Sequence, residues 1–333
     1  MIRVAVDAMG GDRGPEEIVA GALEARSGTI EPILVGPAGL ETHGLRLVEA
    51  PDVISMHEKP AEAVRAKPNA SLVVCCRAVA AGEADVAVSA GNTGAMLVAG
   101  LLELRRLPGV LRPAIAVVLP ARRGPSVLID CGANADARPE HLVQFAHMGA
   151  VFAAEILECR NPEVRLVSIG EEEEKGNELT LEAHALLRAE RDLNFRGNVE
   201  SRHLLAGAAD VVVCDGFTGN ICLKLIEGTI KAILDGLRTE IEASLTTRLG
   251  GLLIRPAARR LQARLDPDEH GGAYLLGLRG LAVVAHGNSS RRAIANAIRL
   301  GARGVEHGVV ERLAERMPDR VVASARSSAP TNE

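Results

Sequence analysis

The 333-residue chain has no tryptophan, one tyrosine and four phenylalanines. A core of this size must be filled by Ala, Val, Leu and Ile, and readers of nucleic acid that stack bases on aromatic platforms are excluded. The formal charge of −5 points the same way. Six cysteines occur without a CxxC pair, which removes thioredoxin-type and paired-zinc sites. They sit mostly in apolar runs, as reduced thiols do, so a cytoplasmic setting is expected. No stretch approaches the roughly 20 apolar residues of a membrane span, and the opening "MIRVAVDAMGGD" shows no secretory leader. There is no GxxxxGK[ST], no GxGxxG after a strand and no GxSxG. The familiar nucleotide cradles and the serine elbow are therefore ruled out.

What the chain does have is 34 glycines and a run of short, β-branched segments at 2–6, 32–35, 85–89, 114–119, 126–129, 164–169, 210–214 and 281–285. Between them, 16–26, 139–159 and 179–191 carry apolar residues at helical spacing. Nearly continuous apolar strands alternating with amphipathic helices predict an α/β fold whose mostly parallel sheet is covered on both faces. One large unit over 1–317 and a frayed polar tail over 318–333 are expected.

In such sheets ligands bind outside the carboxyl ends of the strands. The segments there are "DAMGGD" (7–12), "SAGNTGA" (89–95), "DCGAN" (130–134), "GEEEEKGN" (170–177), "CDGFTGN" (214–220) and "HGNSS" (286–290). Their polar side chains go beyond what turns require, and a shared small-molecule site is expected. Three of them open helices, where free N–H groups and the helix dipole favour an anion. Asn92 and Thr93 stand at the first, Thr218 and Asn220 at the second with Lys224 one turn on, and Asn288, Ser289 and Ser290 at the third. A phosphate-bearing ligand is expected. Cys131 and Cys214 have no local cation to activate them as nucleophiles. His286 is the only histidine in these loops, either as a donor to substrate or as an orienting residue. The run "EEEEKGN" admits three readings: a solvated first helical turn, a hard-metal cradle disfavoured by divergent side chains, or acids that hold Lys175 as a fixed cation.

In this order, "VDAMGGDRGP", "SAGNTGA", "DCGAN", "IGEEEEKGNEL", "CDGFTGN" with "KLIEG", "GAYLLGLRG" and "HGNSS" resemble the bacterial acyl-carrier-protein:phosphate acyltransferases of phospholipid synthesis over about residues 1–312. The resemblance implies a fold related to phosphotransacetylase and the isocitrate/isopropylmalate dehydrogenases, and a homodimer. It also implies transfer of a long-chain acyl group from acyl-carrier protein to inorganic phosphate, without cofactor or metal. Phosphate near neutral pH is already largely dianionic and a thiol leaves readily, so positioning and oxyanion stabilisation remain to be supplied. On that basis Asn220, Thr218, Ser289 and Ser290 are expected to hold phosphate, with Asn177, Lys224 and Asn288 nearby. Lys175 is the fixed cation, His286 donates to the thioester carbonyl or orients phosphate, and Asn92, Thr93 and Asn134 line the remaining wall. Asp7 and Asp12 organise loops; Arg65 and Lys67 are phosphate ligands or surface cations.

A helical hairpin is expected over 237–268, with Leu237, Ile241, Leu245 and Leu249 as a dimer-packing stripe. Its break at "GGLLIRPAARR" (250–260) would place Leu252, Leu253 and Ile254 at a tip beside Arg255, Arg259 and Arg260. An apolar tip flanked by arginines suits an anionic membrane or an acidic carrier protein, giving a cytoplasmic protein peripherally bound to membrane. Two rivals share the fold or the ligands: a β-decarboxylating dehydrogenase, and a non-catalytic acyl-carrier or lipid-binding scaffold. A short-chain, phosphotransacetylase-like acyltransferase is a third.

Overall fold

The computed structural model describes residues 1–265 and 271–317. The expected tail at 318–333 and the hairpin residues 266–268 lie outside them. Eleven strands form one sheet in the order β3-β2-β1-β4-β11-β10-β5-β6-β9-β7-β8. They are β1 (Ile2–Asp7), β2 (Ile30–Gly36), β3 (Arg46–Glu49), β4 (Val86–Ser89), β5 (Ala114–Leu119), β6 (Ser126–Ile129), β7 (Glu163–Ser168), β8 (Asn194–Glu200), β9 (Val211–Val213), β10 (Ala273–Leu276) and β11 (Leu281–Val284). Most neighbours pair in parallel, as the apolar runs predicted; β10 with β11, β10 with β5 and β5 with β6 are antiparallel.

Those three reversals matter for the site. Strands β1, β4 and β11 run one way, whereas β6, β9 and β7 run the other. The glycine-rich turns therefore hang three and three from opposite ends of the sheet, not from one common end. Four steps separate β11 from β9. At a twist of about 20–25° per strand they accumulate roughly a right angle, which swings the two ends toward each other.

Side chains alternate between the two faces. Val4, Val6, Val86, Val88, Val211 and Val213 pack under α1 (Glu16–Ala25), α5 (Pro139–Ile156), α6 (Glu178–Ala189), α9 (Arg291–Glu306) and α10 (Val309–Arg316). On the other face, Ala5, Ala87 and Ala282 belong to a second cluster with α2 (Pro60–Ala66), α3 (Ser71–Ala80) and α4 (Thr93–Ala99), and Val212 joins it in the half of the sheet where Leu223 and Ile226 pack. The lone tyrosine, Tyr274, is buried edge-on against Phe152 with centroids 4.9 Å apart, and its hydroxyl donates to the Leu300 carbonyl. Three strands are absent from the sequence reading: the short central β10, and β3 and β8, which are the sheet's two edges. Their sequences "RLVE" and "NFRGNVE" carry the charges that edges use against further pairing, and so lack an apolar run.

The hairpin departs from expectation. Helix α7 (Gly216–Glu242) reverses at Ala243–Ser244, and α8 (Leu245–Leu265) runs straight through Gly250, Gly251 and Pro256. Reciprocal bonds between Ser244 and Thr247 cap the start of α8 and fix the turn there. Gly251 is not a stop signal; a Cβ at that position would lie 2.5 Å from Ile241, so it is a point of close approach between the two helices. Leu252, Leu253 and Ile254 consequently lie on the side of α8 rather than at a tip, and all three are exposed.

Candidate functional site

The turns after β1, β4 and β11 form one cluster. Asp7, at the end of β1, is buried and accepts from the Ser89 hydroxyl at 2.6 Å and from the Met9 N–H. Burial pushes its carboxyl above the usual range, while hydrogen bonds from Ser71, Ser89 and the turn amides pull the other way. The Asp12 N–H donates to the Gly287 carbonyl at 2.6 Å, tying the first turn to the last. Asp7 thus organises its loop through its carboxylate, and Asp12 contributes its main chain.

The turns after β6 and β9 form a second cluster around Asp130. This buried carboxylate accepts from the N–H groups of Ile115, Gly132, Ala133 and Asn134 and from the Asn134 amide, at 2.7–3.2 Å. Burial raises it too, with the same hydrogen bonds opposing. A Cβ on Gly219, in the first turn of α7, would lie 1.9 Å from the Asp130 carbonyl oxygen, so only glycine lets α7 start here. Cys131 and Cys214 are buried in this cluster, and desolvation pushes both thiols well up, which supports leaving them out of the chemistry.

The three helix starts are largely self-capped. Asn92 accepts from the Ala95 N–H while its amide donates to carbonyls of Ser55, Met56 and Glu58. Asp215 accepts from the Thr218 N–H and hydroxyl. Ser290 accepts from the Ala293 N–H, and the Arg291 N–H donates to Glu17 at 2.8 Å. The Asn134 amide is spent on Pro113 and Asp130, and Asn177 caps α6 through the Thr180 N–H. Asn92, Asn134, Asn177 and Thr218 are thus committed to holding the turns, a role that the N-cap positions of Asn92 and Asn177 also signal. Lys67 is likewise committed, to Glu58 at 2.8 Å and the Val53 carbonyl.

Several polar groups remain uncommitted. The Ser289 hydroxyl is buried and has no hydrogen-bond partner. Asn220 faces the Gly132 main chain, and among the described residues Thr93, Asn220 and Asn288 make no side-chain hydrogen bond. Lys224, about two turns into α7 rather than one, reaches across to His286: Nζ lies 2.9 Å from Nε2, and Glu227 is 2.8 Å from the same ammonium. An ammonium only donates, so Nε2 accepts and the neutral ring carries its proton on Nδ1. This contact joins the two clusters.

The acid run does something other than expected. Glu171–Glu174 form a turn before α6, of whose first turn only Glu178 is an acidic member. Glu173 pairs with Arg188, and Glu171 lies 3.8 Å from His203. Neither holds Lys175. The main chain of Lys175 is fixed instead, its N–H donating to the Glu172 carbonyl and its own carbonyl accepting from Ser168 at 2.8 Å. Among the described residues its ammonium has no partner. Lys175 and Asn220 follow the adjacent parallel strands β7 and β9, so they stand on the same end of the sheet.

Residues 2–312 match the family described as a fatty acid synthesis protein. The phosphate acyltransferase of Desulfitobacterium hafniense (strain Y51) is 48% identical, covering 96% of this chain and 98% of its own. The chain belongs to the phosphate acyltransferase family. Another relative, the phosphate acyltransferase of Heliobacterium modesticaldum, is 46% identical over 332 residues, covering 96% of this chain and 99% of its own. Membership of this family makes the protein an acyltransferase. Its fold is shared with a branched-chain phosphotransacylase from Enterococcus faecalis V583 (TM-score 0.59, 17% identity, covering 92% and 100% of the two chains). It is also shared with a 4-hydroxythreonine-4-phosphate dehydrogenase from Klebsiella pneumoniae (TM-score 0.51, 13% identity, covering 90% and 98%). The expected α/β fold of phosphotransacetylase and dehydrogenase type is thereby met, with a 4-hydroxythreonine-4-phosphate dehydrogenase as the dehydrogenase found rather than the isocitrate or isopropylmalate enzymes named above.

Proposed function

We propose that the protein transfers a long-chain fatty acyl group from acyl-carrier protein to inorganic phosphate, releasing acyl phosphate and the free carrier thiol. The observation that carries this reading is the character of the groups the fold leaves unspent. They are an ammonium, amides and hydroxyls on an otherwise self-satisfied set of turns, and such groups suit an oxyanion.

A phosphate oxygen attacks the thioester carbonyl, forming the C–O bond and a tetrahedral oxyanion. Collapse breaks the C–S bond, and the thiolate takes a proton from solvent. Lys175 and Asn220 stabilise the oxyanion, with Lys175 preorganised because its main chain is held at both ends. The Ser289 hydroxyl, Asn288 and the Lys224–His286 pair position phosphate. Lys224 exchanges its bond to His286 for one to the anion, leaving the imidazole to orient it. No cofactor or metal enters this scheme.

The arm formed by α7 and α8 supplies two further surfaces. Phe217, Ile221 and Leu225 recur every fourth residue along α7 and are exposed, a stripe suited to a second copy of the chain. Exposed Leu252, Leu253 and Ile254 beside Arg255, Arg259 and Arg260 suit anionic lipid or the acidic carrier. Among the described residues no helix is long and apolar enough to cross a membrane, and the contact proposed here is a peripheral one.

The test is to mix the purified protein with long-chain acyl-carrier protein and phosphate and to trap product with hydroxylamine. Phosphate-dependent acyl hydroxamate is expected, and Lys175→Ala should abolish it with melting unchanged. Product formation that does not depend on phosphate sinks the reading.

A further inference from the structure

The Lys175 turn is supported from below by two buried polar residues, Asn198 and His184. Asn198 lies on β8 and is 1% exposed, on the α6 face of the sheet with Leu166 and Ala183. It reaches that place through an irregularity: pairing between β7 and β8 shifts register between Val164 and Leu166, and Gly197 takes a φ of +88°. Its amide nitrogen donates to the Glu172 carbonyl at 2.8 Å. A carbonyl only accepts, so the orientation of the Asn198 amide is fixed and its oxygen faces His184 Nδ1 at 2.9 Å. His184 must then donate from Nδ1. Its ring is buried and set by edge-on contact with Phe195, centroids 5.2 Å apart.

The Glu172 carbonyl that Asn198 holds is the same one that accepts from the Lys175 N–H. A chain of hydrogen bonds thus runs from His184 through Asn198 and Glu172 to the Lys175 main chain, with Ser168 closing the other side. Burying two polar side chains under an exposed turn costs free energy unless they are paired, and here the pairing ends on the backbone of one turn. We infer that Asn198, oriented by His184, is a positioning residue that fixes the height and direction of Lys175 at the sheet end. This inference rests on Lys175 being the cation of the reaction.

The test compares Asn198→Ala, His184→Phe, His184→Asn and Lys175→Ala in the hydroxamate assay, with thermal melting and amide exchange of the 170–176 segment. His184→Phe keeps an aromatic ring against Phe195 but removes the donor, while His184→Asn returns a donor near the Nδ1 position. Misplacing a reacting group by about 1 Å costs roughly 100-fold, so Asn198→Ala should lose 10- to 100-fold in kcat with a smaller change in KM for phosphate. Faster exchange over 170–176 should accompany it. His184→Phe should follow in part, and His184→Asn should recover. If Asn198→Ala fails to fold, the two His184 variants carry the comparison. Inactive Lys175→Ala alongside wild-type kcat and exchange in Asn198→Ala or His184→Phe overturns the positioning role alone. An active Lys175→Ala overturns the reading beneath it.

Discussion

Replacing Gly219 by alanine tests how tightly the two halves of the site are joined. The new Cβ would lie 1.9 Å from the Asp130 carbonyl oxygen and 2.9 Å from the Cys214 sulfur. Ordinary contact needs more than 3 Å, so the first turn of α7 must move away from β6 by about 1 Å, and strain of this kind costs about 1–3 kcal/mol. That turn carries Asn220, and Lys224 follows one turn later, so both donors shift together. A displacement of about 1 Å is worth roughly 100-fold in rate where orientation supplies the catalysis. Gly236→Ala in the same helix is the control. A Cβ there meets nothing within 4 Å, and alanine in an exposed helix interior stabilises by about 0.5–1 kcal/mol. Melting curves and hydroxamate formation on both variants decide the matter. Gly219→Ala melting within a degree of the parent and turning over within twofold would refute the argument that α7 is seated through this glycine.

Three other outcomes are expected. Ser289→Ala removes a buried hydroxyl that lacks a partner, so melting should hold or rise by the equivalent of about 1 kcal/mol while KM for phosphate climbs about tenfold. Arg291 holds the Glu17 carboxyl down at about 2 by side-chain and backbone hydrogen bonds. A depressed carboxyl stabilises the fold above its ordinary range and loses that contribution as pH falls toward 2. The melting difference between wild type and Glu17→Gln should therefore be present at pH 6 and vanish as pH is titrated from 4.5 to 2. Phe152→Ala empties the space beside Tyr274 and should cost about 3–5 kcal/mol, read as a lowered urea midpoint with an unchanged slope.

Much of this architecture is legible in the sequence because central strands buried on both faces must be apolar throughout. Runs such as "VVV" in β9 and "LAVV" in β11 leave no other reading. The edges β3 and β8 are not legible, since an edge strand is written in charges and glycine. The position of the hairpin reversal was masked for a related reason. Gly250 and Gly251 carry the composition of a stop, yet a Ser-x-x-Thr cap at 244–247 outranks them. Strand direction lies beyond local pattern altogether, and with it went the expectation of six turns on one end. Among site residues, amides just before helices read equally well as ligands or as caps, and hydrogen bonding makes Asn92 and Asn177 caps, while the Asn134 amide braces its own loop on Pro113 and Asp130. A signal was available for Asp130 and Asp215, since each stands past a strand end with glycine one or two residues on, Gly132 and Gly216.

Self-capping has a consequence for the protein without its substrates. Turns that already satisfy their own donors leave almost no polarity waiting to be quenched, so the empty protein needs no bound anion to complete its fold. Added phosphate then has only a few hydroxyls, ammonium groups and amides to engage, and any rise in melting temperature on adding it measures occupancy rather than repair.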